Sequence, residues 1–279
     1  MKINKKLAII CSVVFGIYAL SLMFPFVYVI VNSFKTNGEF INDAWSLPKK
    51  LIERNDFFQN YRLAFQEWKV DIMFINSAVL TVWCTIASTL SSVIVAYILS
   101  KYKFKLNSAI FTIAIIFMVI PNVGITIARF AMLKELNLIN TYLVAIILSA
   151  GPFGSYFILL YGYFKGISWS YAEAAYIDGA GELRIFVQIM IPQAWPGIST
   201  VLLLNGIGVW NDYFTPYMYM PGVQTVATGI QNMSYYATAQ GHYVELFAAM
   251  ILSLIPIMVV FAFTNKSLLN NTMAGGLKG

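Results

Sequence analysis

The stretch EAAYIDGAG, residues 173–181, is rich in small residues, carries two acids and stands between two long apolar runs. It is an abrupt interruption in a chain that is 59% hydrophobic and 11% charged. Soluble domains carry about 25% charged residues, so this composition is that of a membrane protein. What flanks the stretch decides how many times the chain crosses and on which side the stretch lies.

A spanning helix needs roughly 20 apolar residues without charge. Uncharged windows cover 7–34, 72–100, 106–128, 136–164, 185–211 and 246–265. A seventh, 213–244, holds Pro216, Pro221, Gly222, Gly229 and Gly241 among many amides and hydroxyls, and is expected to be mostly loop. The chain is therefore expected to be an all-α integral membrane protein. It forms one transmembrane domain over 1–279, with spans at about 8–31, 73–99, 107–127, 142–163, 197–218 and 245–264. The N-terminus begins basic, like a signal peptide. Its apolar run is too long for a cleaved one, and it reads as an uncleaved first span.

Six spans put both termini on one side, and charge chooses the side. With the termini in the cytoplasm, the inner side holds ten basic residues, including the KYKFK cluster at 101–105. They face only Glu173, Asp178 and Glu182. The outer side holds eight basic against nine acidic residues. Basic residues concentrate on the cytoplasmic side of membrane proteins, so both termini are expected there. The same sorting accounts for the net charge of +6 without nucleic acid.

EAAYIDGAG then lies in a cytoplasmic loop of about 165–196, between the fourth and fifth spans. Ser170 followed by Glu173 has capping-box spacing, and Ala172, Ala174 and Ala175 favour helix. A short helix is expected from near Ser170 toward Asp178, closed by the turn Gly179-Ala180-Gly181. ELRIFVQIMIP, 182–192, spaces Leu183, Phe186, Val187 and Met190 as a second amphipathic helix, ended by Pro192 and Pro196. Two readings follow from the residues alone. Glu173 caps its own helix while the second helix lies flat at the membrane surface. Alternatively, the small residues and glycines shape a knob that a partner protein grips.

Other chemistry is sparse. There is no GxxxxGK[ST] phosphate cradle, no charged relay across several spans and no nucleophile–base constellation. Cys11 and Cys84 fall in apolar runs, and His242 has no second ligand in sequence. No catalytic residue, metal site or cofactor is expected. Breaks in apolar helices often mark a transport path. They occur at Pro25, at Pro121-Asn122, at Gly151-Pro152-Phe153-Gly154, and along Asn205, Gly206, Gly208, Trp210 and Asn211. Aromatic faces and amides suit a sugar, which makes Trp210, Asn211, Tyr213 and Tyr217 candidates for a translocation path. Small-residue helix packing and interfacial anchoring are the alternative roles for these positions.

EAA, a glycine four residues beyond it and an I-x-P ending, here EAAYIDGAGELRIFVQIMIPQAWP, resemble the coupling loop of ABC-importer permeases. IDGA resembles the sugar-importing branch. VWNDYF at 209–214 and the terminal TMAGGLKG resemble segments of the smaller inner-membrane subunit of maltose-type importers. Ser168 stands where a proline is often found, and Ile191 replaces a usual leucine.

The resemblance implies a type I importer permease in the bacterial cytoplasmic membrane. It implies a second permease subunit, a cytoplasmic ATPase dimer, an external solute-binding protein and a sugar substrate. Glu173, Ala174, Ala175, Asp178, Gly179, Ala180 and Pro192 would form the ATPase-coupling loop. Ala274, Gly275, Gly276 and Lys278 would reach the ATPase from the C-terminal tail. The rivals are an ABC permease for another solute and a self-sufficient secondary transporter or channel.

Overall fold

The computed structural model describes residues 5–49, 58–120 and 122–276. Pro121 and Lys278, both singled out in the sequence, lie outside the described residues. Among the described residues there is no strand. In chain order the helices are α1 (Lys5–Ser33), α2 (Asn37–Asn42), α3 (Gln59–Gln66), α4 (Val70–Lys101), α5 (Asn107–Val119), α6 (Thr126–Glu135) and α7 (Tyr142–Ser149). They continue with α8 (Ser155–Gly166), α9 (Ser170–Ile177), α10 (Glu182–Ile185), α11 (Ile191–Asn211), α12 (Phe214–Tyr219), α13 (Val226–Gln240) and α14 (Tyr243–Gly276). Among the described residues, four stretches are long and apolar enough to cross a membrane: Ile9–Ser33, Val70–Lys101, Glu182–Asn211 and Tyr243–Ala262.

The expected spans at 107–127 and 142–163 are each interrupted. α5 stops at Val119, and its C-cap Ile120 adopts an extended conformation (ψ 120°). Ile120 precedes a proline, whose ring disfavours helical geometry at the residue before it. A 3₁₀ turn (Asn122–Ile125) and α6 follow. The second interruption separates α7 from α8 at Gly151–Gly154. The buried Ser92 hydroxyl of α4 donates to the Pro152 carbonyl, freed by the break, at 3.0 Å. Such pairing is what lets a broken helix persist in an apolar setting.

Two further expectations are corrected. The amphipathic stretch after the glycine turn is not a separate helix ended by Pro192 and Pro196. α10 runs through a π turn (Phe186–Met190) straight into α11, which contains both prolines. Within this turn the Ile191 amide donates to the Phe186 carbonyl, five residues back. The widened turn relieves the clash between the Pro192 ring and the carbonyl four residues before it. The segment 213–244 is also more ordered than a loop, since it forms α12 and α13. The Thr225 hydroxyl accepts the Thr228 amide at 3.2 Å, and the Thr228 hydroxyl accepts the Thr225 amide at 2.8 Å. This reciprocal cap starts α13 with threonine in the place usually held by glutamate.

The chain divides into two compact units. The first comprises Met1–Asp71 with Gly229–Met258. Here Asn60 donates to the carbonyls of Ser33 (2.6 Å) and Lys35 (2.7 Å), fixing the end of α1. The buried Lys35 ammonium caps the carbonyls of Asp43 and Ala44, both at 3.1 Å. Asn37 donates to both Glu245 oxygens and accepts the Val244 amide, seating the start of α14.

The second unit comprises Ile72–Thr228 with Val259–Gly279. Its larger core joins Val93, Ala96 and Tyr97 of α4, Phe157, Leu160 and Phe164 of α8, and Ile198 and Val201 of α11. α8 and α11 approach closely because Gly197 has no side chain: a Cβ there would lie 2.6 Å from the Tyr163 ring.

Candidate functional site

α9 is an eight-residue helix, and its ends are set by local chemistry. At the start, the Ser168 hydroxyl accepts the Ser170 amide at 3.3 Å and pairs with the Ser170 hydroxyl at 2.8 Å. The helix makes no side-chain cap hydrogen bond through Ser170 and Glu173, so the expected capping box is absent. The cap sits two residues earlier because the helical bonds already begin at the Trp169 carbonyl, which accepts from Ala172 and Glu173.

At its end the Gly179 amide donates to Tyr176 O (3.0 Å) and the Ala180 amide to Ala175 O (2.9 Å), with Gly179 at φ +80°. This is a Schellman turn, and a left-handed residue at its centre is what makes glycine suitable there. Gly181 then starts α10.

The turn gives α9 two unlike faces. Ala172 and Ala175 are buried in the core shared with α4, α8 and α11. Small size at these positions thus lets α9 lie close to its own bundle. Glu173, Ala174 and Ile177 share the opposite face, as their spacing requires, and all are exposed. Ile177 is 88% exposed, and Leu183 beyond the turn is 75% exposed. The sequence reading passed over Ile177 and took Leu183 only as part of the apolar face of a second helix. The signal for Ile177 was its spacing four residues after Glu173. Asp178 and Gly179 are exposed and Ala180 is half-buried, whereas Pro192 sits apart in the first turn of α11.

Behind α9 lies a ring of aromatic side chains. Trp169 meets Tyr102 edge-on at 5.6 Å, and Tyr97 contacts Phe164 at 5.6 Å and Phe186 at 4.8 Å. The Tyr102 hydroxyl donates to the Glu182 carboxylate. Burial first, and then the Glu182 and Tyr97 partners, push the Tyr102 phenol far above its ordinary range. Tyr176 is raised chiefly by Glu182. Both phenols are therefore neutral donors at any physiological pH.

The residues proposed for a translocation path fall at the junction of α11 and α12. The expected span 197–218 is divided there: α11 ends at Asn211, and Asp212 accepts the amides of Phe214 (2.9 Å) and Thr215 (3.1 Å) to start α12. Trp210 meets Phe74 at 5.9 Å, while Asn211 donates to the Ile207 carbonyl of its own helix. Tyr213 and Tyr217 are about half exposed, with the Tyr217 amide donating to Tyr213 O. Ala274, Gly275 and Gly276 lie in the last turns of α14.

Residues 88–270 match the family described as the binding-protein-dependent transport system inner membrane component. The chain is 27% identical to the diacetylchitobiose uptake system permease protein NgcG of Streptomyces coelicolor, over 98% of this chain and 89% of that protein. It is 24% identical to the melibiose/raffinose/stachyose import permease protein MelC of Bacillus subtilis, covering 97% and 96%. Against the arabinooligosaccharides permease protein AraQ of Halalkalibacterium halodurans the figures are 26%, 100% and 99%. The fold matches a chain in the crystal structure of a bacterial ABC transporter that imports the acidic polysaccharide alginate. The TM-score is 0.78 at 23% identity, over 95% of this chain and 99% of that one. The chain belongs to the family of binding-protein-dependent transport system inner membrane components.

Proposed function

We propose that this chain is one of two permease subunits of an ABC importer that carries a sugar or oligosaccharide across the bacterial cytoplasmic membrane. It crosses six times with both termini inside, and the interrupted segments α5–α6 and α7–α8 supply the third and fourth crossings. A second permease completes the path, a solute-binding protein delivers the sugar outside, and an ATPase dimer works from the cytoplasm. The chain itself catalyses no reaction. Trp210, Asn211, Tyr213 and Tyr217 belong to the transport path, and Ala274, Gly275, Gly276 and Lys278 serve as the tail's contacts to the ATPase.

The observation that carries the coupling role is the division of α9 into a buried alanine face and an exposed Glu173–Ala174–Ile177 face. A helix lying flat in the membrane surface would separate its apolar residues from its charged ones, whereas Glu173 and Ile177 share one face. Here an isoleucine stands almost fully exposed on a helix braced from behind, as a knob for a protein cleft would. The sugar class is supported by the relatives, whose names give uptake, import or transport of di- and oligosaccharides.

Reconstitution tests the reading. The chain alone in proteoliposomes is expected to move no sugar. With the second permease and ATPase from its gene neighbourhood, and the binding protein, uptake is expected to require ATP hydrolysis. Flux through the chain alone, indifferent to ATP, would instead identify a channel or secondary transporter. ATP-driven uptake of an amino acid or ion, but of no sugar, would leave the permease role and overturn the substrate class.

A further inference from the structure

A push on α9 must reach the long helices to do work. α9 is joined covalently to α8 and to α10–α11, but the structure contains a third connection. Both ends of the segment 167–182 are fastened to the end of α4, some 66 to 80 residues away in sequence.

At the entry, the Lys101 ammonium donates to the Ile167 carbonyl. At the exit, the Tyr102 hydroxyl donates to Glu182. The Tyr97 hydroxyl lies 3.1 Å from that of Tyr102. The single Tyr102 proton is committed to Glu182, so Tyr97 is the donor in this second bond, and a two-phenol chain ends on the carboxylate. The receiving end of α4 is itself locked. Asn107 donates to Leu99 O at 3.0 Å and to Tyr102 O at 2.6 Å, holding the chain as it leaves the helix.

The other end of α4 is fastened as well. Asn76 donates to the Gln224 carbonyl at 2.7 Å and accepts from the Tyr142 hydroxyl at 2.6 Å. The Ser77 hydroxyl accepts the Val226 amide at 2.8 Å. From Ser77 to Lys101 the helix is continuous, without an internal proline, and at 1.5 Å per residue it spans about 36 Å. α4 is thus a rod gripping the coupling loop at one end and the backbone ahead of α13 at the other.

We propose that Lys101, Tyr102 and Glu182 are positioning residues that clamp the coupling loop to α4, making α4 the rod through which its movement reaches Gln224–Val226. The proposal rests on the coupling role argued for α9. Its physical content is a rigid element with hydrogen-bonded joints, rather than a path inferred from proximity. Both bonds carry a formal charge on one partner, which makes them stronger than neutral hydrogen bonds.

The test uses the complete importer in proteoliposomes, with sugar uptake and ATP hydrolysis measured on the same preparations. Tyr102→Phe keeps the ring and removes the donor, and Glu182→Leu removes the acceptor. Each is expected to leave ATPase co-purification and hydrolysis near wild type, while sugar moved per ATP falls about tenfold. Glu182→Gln keeps an acceptor oxygen and is expected to recover most of the loss. The double variant should lose less than the two single losses combined, because both remove the shared Tyr102–Glu182 bond.

A second measurement does not depend on variants of the clamp. Spin labels at 171 on α9 and 98 on α4 should keep one distance between nucleotide-free and ATP-trapped states. Uptake per ATP equal to wild type in both single variants would overturn the clamp. So would uptake and hydrolysis falling together with loss of complex, or a label distance that changes with nucleotide. A wild-type importer whose uptake ignores ATP fails differently: it removes the coupling role itself.

Discussion

The Ala180 amide closes a turn on the Ala175 carbonyl at 2.9 Å, and the residue between cap and closure, Gly179, sits at φ +80°. That conformation costs a side-chain-bearing residue roughly 1–2 kcal/mol, less for asparagine. Gly179→Val is expected to loosen the turn, misdirect α9 and cut ATP-driven uptake several-fold, with the subunit still inserted in the membrane. Gly179→Asn should keep most of it. Open space surrounds the position, so backbone strain rather than a clash would be the cause. Uptake assays beside membrane-fraction blots check the pair, and equal activity in both variants would remove the turn from the mechanism.

Glu173 is exposed, and no hydrogen bond within the helix cap depends on it. Glu173→Lys is expected to leave thermal stability within about 0.5 kcal/mol of the parent, as for an ordinary surface change. ATPase co-purification should nevertheless fall. Ile177→Ser should act in the same direction through loss of apolar contact. Unchanged association in both would mean that the partner grips another surface.

The short helix and its glycine turn were legible because alanines and glycines act locally, although the capping box expected of Ser170 and Glu173 does not form. The long apolar helices α1, α4 and α14 were legible for the same reason: composition alone specifies them. What was not legible depended on distant partners. The break at Gly151–Gly154 is stabilised by Ser92, sixty residues earlier. The reading of α13 as loop gave its amides and glycine too much weight, and it overlooked the face of Val226, Ile230, Met233 and Ala237, at intervals of three and four. Pro192 and Pro196 looked like terminators, but the π turn before them lets one helix continue. The Glu182–Tyr102 bond joins residues 80 apart and has no sequence signature.

Close packing of α8 on α11 rests on Gly197 facing Tyr163. In Gly197→Ala the new methyl would lie 2.6 Å from the ring and must displace it. Overpacking of this kind typically costs about 1–3 kcal/mol. A lowered melting temperature of the detergent-solubilised importer is expected, with partial recovery when Tyr163→Leu is added. If the single variant melts like the parent, the two helices are less tightly joined than this contact implies.

The sidedness argued from charge can be read by labelling. Cys11 and Cys84 are the chain's two cysteines, and replacing both gives a silent background. Asp178→Cys lies in the turn after α9, and Tyr236→Cys lies on α13; both positions are exposed. With the termini in the cytoplasm, a membrane-impermeant maleimide added to intact cells or spheroplasts should label 236 and spare 178. Opening the membrane should make both reactive. The segment 213–244 carries no Lys or Arg, while the KYKFK cluster precedes α5 on the side assigned to α9. Labelling of 178 alone from outside would invert the chain. The Glu173–Ala174–Ile177 face would then look away from any cytoplasmic ATPase, and the coupling role would fall with the topology.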